Sequence, residues 1–318
     1  MHTRRLFLGS LAATLSPALS AKEAKPLAGV FPIVQTPFTA GNKLDLKTLA
    51  NEIRFLDRTG VQGVVWPQLA SEYSELTMEE RMAGMDAVVS AARNLKPAVV
   101  LGVQGPDIAT ALQYVKHAES LAPDALIALP PRDAKDKTKV LEYYKAIGQN
   151  CDRPLFAQTI GDMSVGFVMQ MIADVPHLHF IKDEAGQTLP RLSEYRRKTT
   201  PALRGIFTGG HGKTMLDELA RGAKGTMPGV PFADLYVHVW EAWQRGDKAK
   251  AMDAFAKTML LVTQVTAYGI PALKYLLELR GVFPNHITRG NNRNSAFDEE
   301  AKTALKETMQ FVKPLFKA

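Results

Sequence analysis

Residues 177–186 read His-Leu-His-Phe-Ile-Lys-Asp-Glu-Ala-Gly, and Lys182 is the residue that needs explaining. An apolar run that climbs as a strand would ends on a lysine, and two acids and a small-residue turn follow at once. Burying an ammonium group costs free energy unless it is paired or deprotonated. A salt bridge to Asp183 or Glu184 meets that cost. A neutral amine meets it too, and a neutral amine is a nucleophile toward carbonyl carbon. Other apolar runs end in the same fashion, on Thr36 with Pro37, Gln68 to Glu72, Gln104, Arg132 with Asp133, Gln158 with Thr159, Gly209 to His211, and Met227 to Gly229.

The elements that must position these residues follow one pattern. Short apolar runs over 29–38, 61–68, 96–103, 124–131, 153–160, 178–185, 205–210 and 223–230 alternate with amphipathic segments. In the first of those segments Asp45 stands as a cap, and Leu46, Leu49, Ile53 and Leu56 share a helical face. In the next, Thr77 and Glu80 form a capping box. Strands separated by helices of this length pair in parallel. Eight such units without a long break predict a closed α/β barrel, the (β/α)8 TIM barrel, over 28–245. No strand carries a dinucleotide fingerprint, which argues against an open doubly wound sheet. Residues 246–318 read as further helices, a C-terminal helical extension with no linker before it. In a barrel, chemistry sits at the carboxyl ends of the strands, where the residues above gather.

Composition bounds the rest. At 46% hydrophobic and 22% charged over 318 residues, the chain is ordinary for a soluble globular protein. Residues 1–21, MHTRRLFLGSLAATLSPALSA, combine Arg4 and Arg5 with an apolar stretch and a small-residue end, and predict a twin-arginine-like export signal. The expected location is therefore periplasmic or secreted, with no membrane attachment once the signal is removed. Removal takes two arginines and no acids, lowering the net charge from +7 to +5. That balance suits small anionic substrates, and the lack of a basic run with interleaved aromatics argues against nucleic acid. Cys151 is the single cysteine, so no internal disulfide forms, as expected of a chain that folds in the reducing cytosol before export. The seven histidines show no metal-ligand spacing, and no metal or cofactor is expected. The stretch TGGHGKT (208–214) fails as a phosphate loop because Phe207 stands where glycine is needed. Gly209 and Gly210 still allow backbone amides to approach an anion.

The chain resembles the dihydrodipicolinate synthase / N-acetylneuraminate lyase family of Schiff-base lyases from about residue 29 to residue 279. The resemblance rests on GVFPIVQTPF (29–38), GVVWPQLASEYSELTMEER (63–81), FIKDEAG (180–186), GAKGTMPG (222–229) and GIPALKYLLELRG (269–281) in that order. It implies a homo-oligomer, tetramer or dimer, and a Lys182 that attacks the carbonyl of a 2-keto acid to form a protonated imine. The imine is an electron sink beside which a carbon–carbon or carbon–oxygen bond breaks or forms. The departures are specific. Leu69 and Ala70 stand where the family has a threonine pair, Ser71 replaces the glycine that follows, and Glu72 matches. Gln158 and Asp133 stand where the family has proton-relaying tyrosines, and the arginine for a distal carboxylate has no clear match, Met163 lying nearest.

Glutamine does not titrate, so the synthase reaction itself is disfavoured and another proton handler is required. Asp133, Glu72, His211 and Glu184 are the candidates, Asp133 and Glu72 joining Lys182 as the expected catalytic set. Thr36 and Ser71 are expected to donate to the substrate carboxylate. Gln68, Gln104, Gln158 and Thr159 are expected to bind hydroxyls of a sugar-derived 2-keto acid, and Gly209 to bring backbone amides near. The expected activity is an aldolase or a dehydratase. A non-catalytic keto-acid or sugar-acid binding protein on the same barrel is the alternative.

Overall fold

The computed structural model describes residues 25–131, 136–290 and 296–318. The expected export signal and Asp133 lie outside the described residues. Eight parallel strands run β1 (Gly29–Val30), β2 (Gly63–Trp66), β3 (Ala98–Gly102), β4 (Ala125–Ala128), β5 (Leu155–Gln158), β6 (Leu178–Asp183), β7 (Gly205–Thr208) and β8 (Gly225–Thr226). They form one sheet in the order β1-β8-β7-β6-β5-β4-β3-β2. Between β1 and β2 the wall is joined by a single parallel bridge, Ile33 to Val65, with Val34 N donating to Val65 O at 3.0 Å and Val65 N to Pro32 O at 3.0 Å. Eight strand–helix units closing in this way make the α/β barrel that the alternation predicts.

The first and last strands are shorter than their apolar runs. Pro32 and Pro228 have no N–H to give to a ladder, so each contributes only its carbonyl, Pro32 O to Val65 N and Pro228 O to Ile33 N at 2.7 Å. The helices are longer than their apolar periodicity. They are α1 (Leu46–Thr59), α2 (Met78–Ala92), α3 (Ile108–Leu121), α4 (Lys137–Gln149), α5 (Val165–Asp174), α6 (Thr188–Lys198), α7 (Met215–Ala220) and α8 (Ala233–Gln244). The first residues of α4, Lys137 to Lys139, are polar, and side-chain caps fix where α4 and α5 start. Asp136 accepts from Thr138 N at 2.8 Å to start α4, and Ser164 from Phe167 N at 3.3 Å to start α5. Periodicity marks the buried face of a helix, and caps mark where it starts.

The barrel interior is filled by Phe31, Ile33, Val65, Val100, Ile127, Phe156, Phe180, Phe207 and Met227. Phe156 stacks on Phe180 with centroids 4.6 Å apart, and Phe207 meets Phe31 and Phe156 edge-on at 4.9 and 5.4 Å. Burying each ring contributes about 1.5–3 kcal/mol. Their bulk is matched by small residues, since a Cβ on Gly63 would lie 2.1 Å from the Phe31 ring. This aromatic layer is the floor on which the mouth of the barrel is built.

Among the described residues three α-helices follow the barrel: α9 (Lys248–Tyr268), α10 (Ile270–Leu279) and α11 (Glu299–Val312). Arg280, just after α10, pairs with buried Asp234 of α8 at 2.6 Å. Its guanidinium lies over Phe55 and Phe316 at 4.7 and 3.9 Å. The extension is thereby fastened to the barrel wall. Among the described residues no helix is long and apolar enough to cross a membrane.

Candidate active site

Side chains alternate across a strand, so residues two apart share a face. Phe156 and Phe180 face the barrel interior, which puts Gln158 and Lys182 in the next layer toward the mouth, and Glu184 beyond Lys182. Gln158 and Lys182 are register partners across β5 and β6. Lys182 is 4% exposed. Its Nζ lies 3.1 Å from Glu184 Oε2. The same oxygen accepts from Gln158 Nε2, and Glu184 Oε1 accepts from Gly210 N at 3.0 Å. A Cβ on Gly209 would lie 1.6 Å from Glu184 Oε1, so the carboxylate occupies the space that glycine leaves. Beside it opens a cavity of about 520 Å³ lined by Glu184, Gly186, Gly209, Gly210, Lys213 and Thr214.

The intervening residue, Asp183, faces the other way. It is fully buried, and Oδ1 accepts from Arg191 Nη2 at 2.7 Å, Tyr195 OH at 3.1 Å and Thr159 Oγ1 at 3.0 Å. Thr159 Oγ1 in turn accepts from Glu184 N at 2.9 Å and Ala185 N at 3.0 Å. Of the two acids open to Lys182 in the sequence, Glu184 is therefore the partner. Thr159 fixes the end of β6 with its hydroxyl fully engaged, which corrects its expected place among groups that bind substrate.

Further corrections follow from hydrogen bonding. Thr36 donates its hydroxyl to Ser71 O, and Ser71 donates to Val34 O, so both protons expected for a substrate carboxylate are already held by backbone carbonyls. The Trp66 indole N–H donates to Thr36 Oγ1 at 3.1 Å and completes this brace. Glu72 forms a buried ion pair with Lys274 of α10 and accepts from Arg289 N at 2.8 Å. Lys274 also donates to Ile287 O at 2.7 Å. Burial holds the Lys274 ammonium down at about 8 in spite of the Glu72 charge. Glu72 thus ties the loop after β2 to the helical extension, and its expected catalytic role gives way to a structural one. Lys274 was not singled out in the sequence, because nothing local marks a lysine whose partner is distant in the chain.

Gln68 Nε2 donates to Gln104 Oε1 at 2.9 Å, and Gln104 Nε2 to Pro67 O at 2.9 Å. Buried Gln68 Oε1 and Gln158 Oε1 have no hydrogen-bond partner among the described residues. His211 lies beside the cavity with its ring 6.0 Å from that of Phe232. Burial, with Lys213 and Lys182 nearby, pushes its imidazole down to about 4, leaving it neutral near pH 7. Buried Glu218 accepts from Thr208 Oγ1 at 2.6 Å and Thr214 Oγ1 at 2.7 Å, and burial raises its carboxyl above the ordinary value.

The dihydrodipicolinate synthetase family pattern matches residues 26–311. The chain belongs to that family. Among its relatives, a probable 2-dehydro-3-deoxy-D-pentonate aldolase of Escherichia coli strain K12 is 25% identical over 273 residues, 81% of this chain and 89% of the relative. L-2-keto-3-deoxyarabonate dehydratase of Azospirillum brasilense is 23% identical over 270 residues, 82% of this chain and 87% of the relative. The fold matches the crystal structure of a prophage protein of the dihydrodipicolinic acid synthase family from E. coli K12 in complex with pyruvate. That match has a TM-score of 0.81 at 21% identity, over 90% of this chain and 99% of the other. The protein is accordingly a dihydrodipicolinate synthetase family lyase, with relatives named as sugar-acid aldolases and dehydratases.

Proposed function

We propose that this family lyase forms an imine between Lys182 and the carbonyl carbon of a sugar-derived 2-keto acid, and makes or breaks a carbon–carbon or carbon–oxygen bond beside it. The observation that carries the reading is the buried Lys182 amine, facing the mouth, with a carboxylate 3.1 Å away to take its proton. An amine attacks only when neutral, so the proton must leave before attack, and Glu184 is the base placed to take it. Once formed, the cationic imine draws electrons toward nitrogen. With a hydroxyl on C4, those electrons come from the C3–C4 bond in an aldolase, or from C3–H with loss of the C4 hydroxyl in a dehydratase.

The substrate class has two supports. The buried Gln68 and Gln158 amide oxygens are acceptors left open, an arrangement that costs about 1–3 kcal/mol per group until a donor such as a sugar hydroxyl arrives. The relatives named above act, by their names, on 2-dehydro-3-deoxy and 2-keto-3-deoxy sugar acids. The proposal extends to place and assembly: residues 1–21 direct export by the twin-arginine route, and the chain works in the periplasm or outside the cell as a homo-oligomer. A lone buried thiol supports export, since burial pushes Cys151 up to about 12 and leaves it inert to oxidation.

The test is borohydride trapping with pyruvate and with a panel of 2-keto-3-deoxy sugar acids, followed by intact and peptide masses. A reduced adduct on Lys182 is expected, strongest with the true substrate class. Binding by calorimetry without any adduct would instead assign the chain to the non-catalytic sugar-acid binding proteins.

A further inference from the structure

We propose that Glu184 is the proton carrier of this site, acting first at the Lys182 nitrogen and then at C3 of the bound 2-keto acid. The inference rests on the reading of Lys182 as the imine-forming residue and adds to it the group that a site without the family's tyrosines requires.

Position is the first ground. Glu184 Oε2 is 3.1 Å from Lys182 Nζ. In the imine, C3 is bonded to the carbon that nitrogen holds, so a carboxylate in contact with the nitrogen is also beside the C3 hydrogens. Preorganisation is the second. Gly210 N and Gln158 Nε2 hold the two carboxylate oxygens, and the absence of a side chain at Gly209 makes the space. Access is the third, because the Glu184 side chain is 25% exposed and lines the 520 Å³ cavity, whereas Lys182 lies beneath it at 5%.

Elimination among the described residues is the fourth. Asp183 is turned outward onto Arg191 and Tyr195. The Tyr144 hydroxyl donates to Ala128 O at 2.7 Å and that of Tyr236 to His211 O, and burial raises both phenols well above their ordinary range. Glu218 is held between two threonine hydroxyls. His211 stands against Phe232, on the side of Gly229, its Nδ1 3.7 Å from where a Cβ on that glycine would be.

The proton count closes. The Lys182 ammonium gives one proton to the Glu184 carboxylate, and the freed amine adds to C2. The nitrogen passes a second proton to the former carbonyl oxygen, giving a carbinolamine. Its hydroxyl leaves as water with the proton from Glu184, which restores the carboxylate and leaves the iminium. The carboxylate then removes a proton from C3, and the C–H electron pair becomes the enamine double bond and neutralises the nitrogen. A dehydratase runs this last step forward, and the protonated Glu184 assists departure of the C4 hydroxyl as water. An aldolase instead cleaves C3–C4: the Glu184 carboxylate takes the C4 hydroxyl proton as the C3–C4 electron pair forms the pyruvate enamine and C4 leaves as an aldehyde. Glu184 then returns that proton to C3. The assignment holds for either branch.

The experiment uses the full chain with pyruvate in D2O. Loss of the methyl proton signal is followed by NMR, in parallel with borohydride trapping and peptide masses. The wild type should give the Lys182 adduct and exchange its methyl protons. E184Q should form the adduct more slowly and, once trapped, lose exchange by about 10²–10⁴-fold, the usual effect of removing a general base. If E184Q loses the adduct as well, E184D should restore both in part, because a carboxylate one methylene short still accepts protons. Three results overturn the assignment while leaving Lys182 standing: trapped E184Q that exchanges like the wild type, E184D that restores nothing, or H211Q that loses exchange where E184Q does not. A wild-type chain that gives no adduct with pyruvate or any sugar acid overturns this inference together with the function it rests on.

Discussion

Replacing Asp183 by asparagine separates the two acids that follow Lys182. Asp183 is fully buried and accepts from four donors through Oδ1 and Oδ2: Arg191 Nη2 and Nε at 2.7 and 2.9 Å, Tyr195 OH at 3.1 Å and Thr159 Oγ1 at 3.0 Å. Asparagine keeps the shape but loses the charge, and its NH2 must face N–H and O–H donors. Arg191, with its side chain only 13% exposed, is then a buried cation without its counter-charge. Breaking a buried pair by removing one partner costs about 3–5 kcal/mol. For a chain of this size each kcal/mol moves the melting temperature by about 2–4 °C, so D183N should melt about 6–20 °C lower by calorimetry. Below that temperature it should still trap an adduct on Lys182, because Asp183 faces away from the mouth. The double variant D183N/R191L removes the orphaned cation and should recover much of the loss. A D183N protein that melts with the wild type, or a double variant no more stable than D183N, would sink this account of the β6 end.

Four further outcomes are expected. E72Q leaves Lys274 buried without its anion and should cost about 3–5 kcal/mol in denaturant unfolding, with trapping at Lys182 intact in the folded protein. Folding lowers the His211 imidazole from 6.5 to about 4, so in that window the unfolded chain holds more protons. The stability from a neutral His211 is complete above pH 6.5 and fades by up to about 3 kcal/mol on acidification to pH 4; H211Q should flatten the melting profile there. F156A removes a ring that touches both Phe180 and Phe207 and should destabilise by about 3–5 kcal/mol, read by chemical denaturation. Replacing Arg4 and Arg5 by lysines should leave the chain in the cytoplasm when fractions are probed by immunoblot.

The barrel was legible because its signal is distributed: eight apolar runs and eight helical faces each point the same way. The ends of elements were less so, since Pro32 and Pro228 shorten strands that remain apolar, and the cap at Asp136 starts a helix whose first residues, Lys137 to Lys139, are polar. In the site, Lys182 stood out because a charge at the end of an apolar run has few explanations. Glu184 was equally open to the sequence, since alternation from Phe180 places 182 and 184 on one face and turns 183 away. What could not be read was the fate of hydroxyls and distant charges. Thr36 and Ser71 donate to carbonyls at Ser71 and Val34, and those pairings depend on loop paths that no local pattern encodes. Glu72 finds Lys274 across the fold, and neither residue type nor spacing announces the partner.

The end of β6 divides its work by parity. Odd-numbered Asp183 lies between sheet and helix α6, where dry packing and the Arg191 fork fix the backbone. Even-numbered Lys182 and Glu184 face the mouth, where access is needed. The two duties conflict in a single residue, because a carboxylate held by a guanidinium, a phenol and a hydroxyl has no lone pair free for a reaction, and one free to react cannot anchor a strand. Thr159 joins the two sides. Its hydroxyl donates to Asp183 and accepts from the Glu184 amide, so the anchored acid sets the backbone from which the reactive one projects. Glycine at 209 then completes the arrangement on the neighbouring strand, since any side chain there would enter the space of the Glu184 carboxylate. Gln158 stands on β5 as a fixed donor that holds the Glu184 carboxylate against Lys182, so under the proposed mechanism no titrating tyrosine is needed there and the proton chemistry falls to Glu184, one strand over.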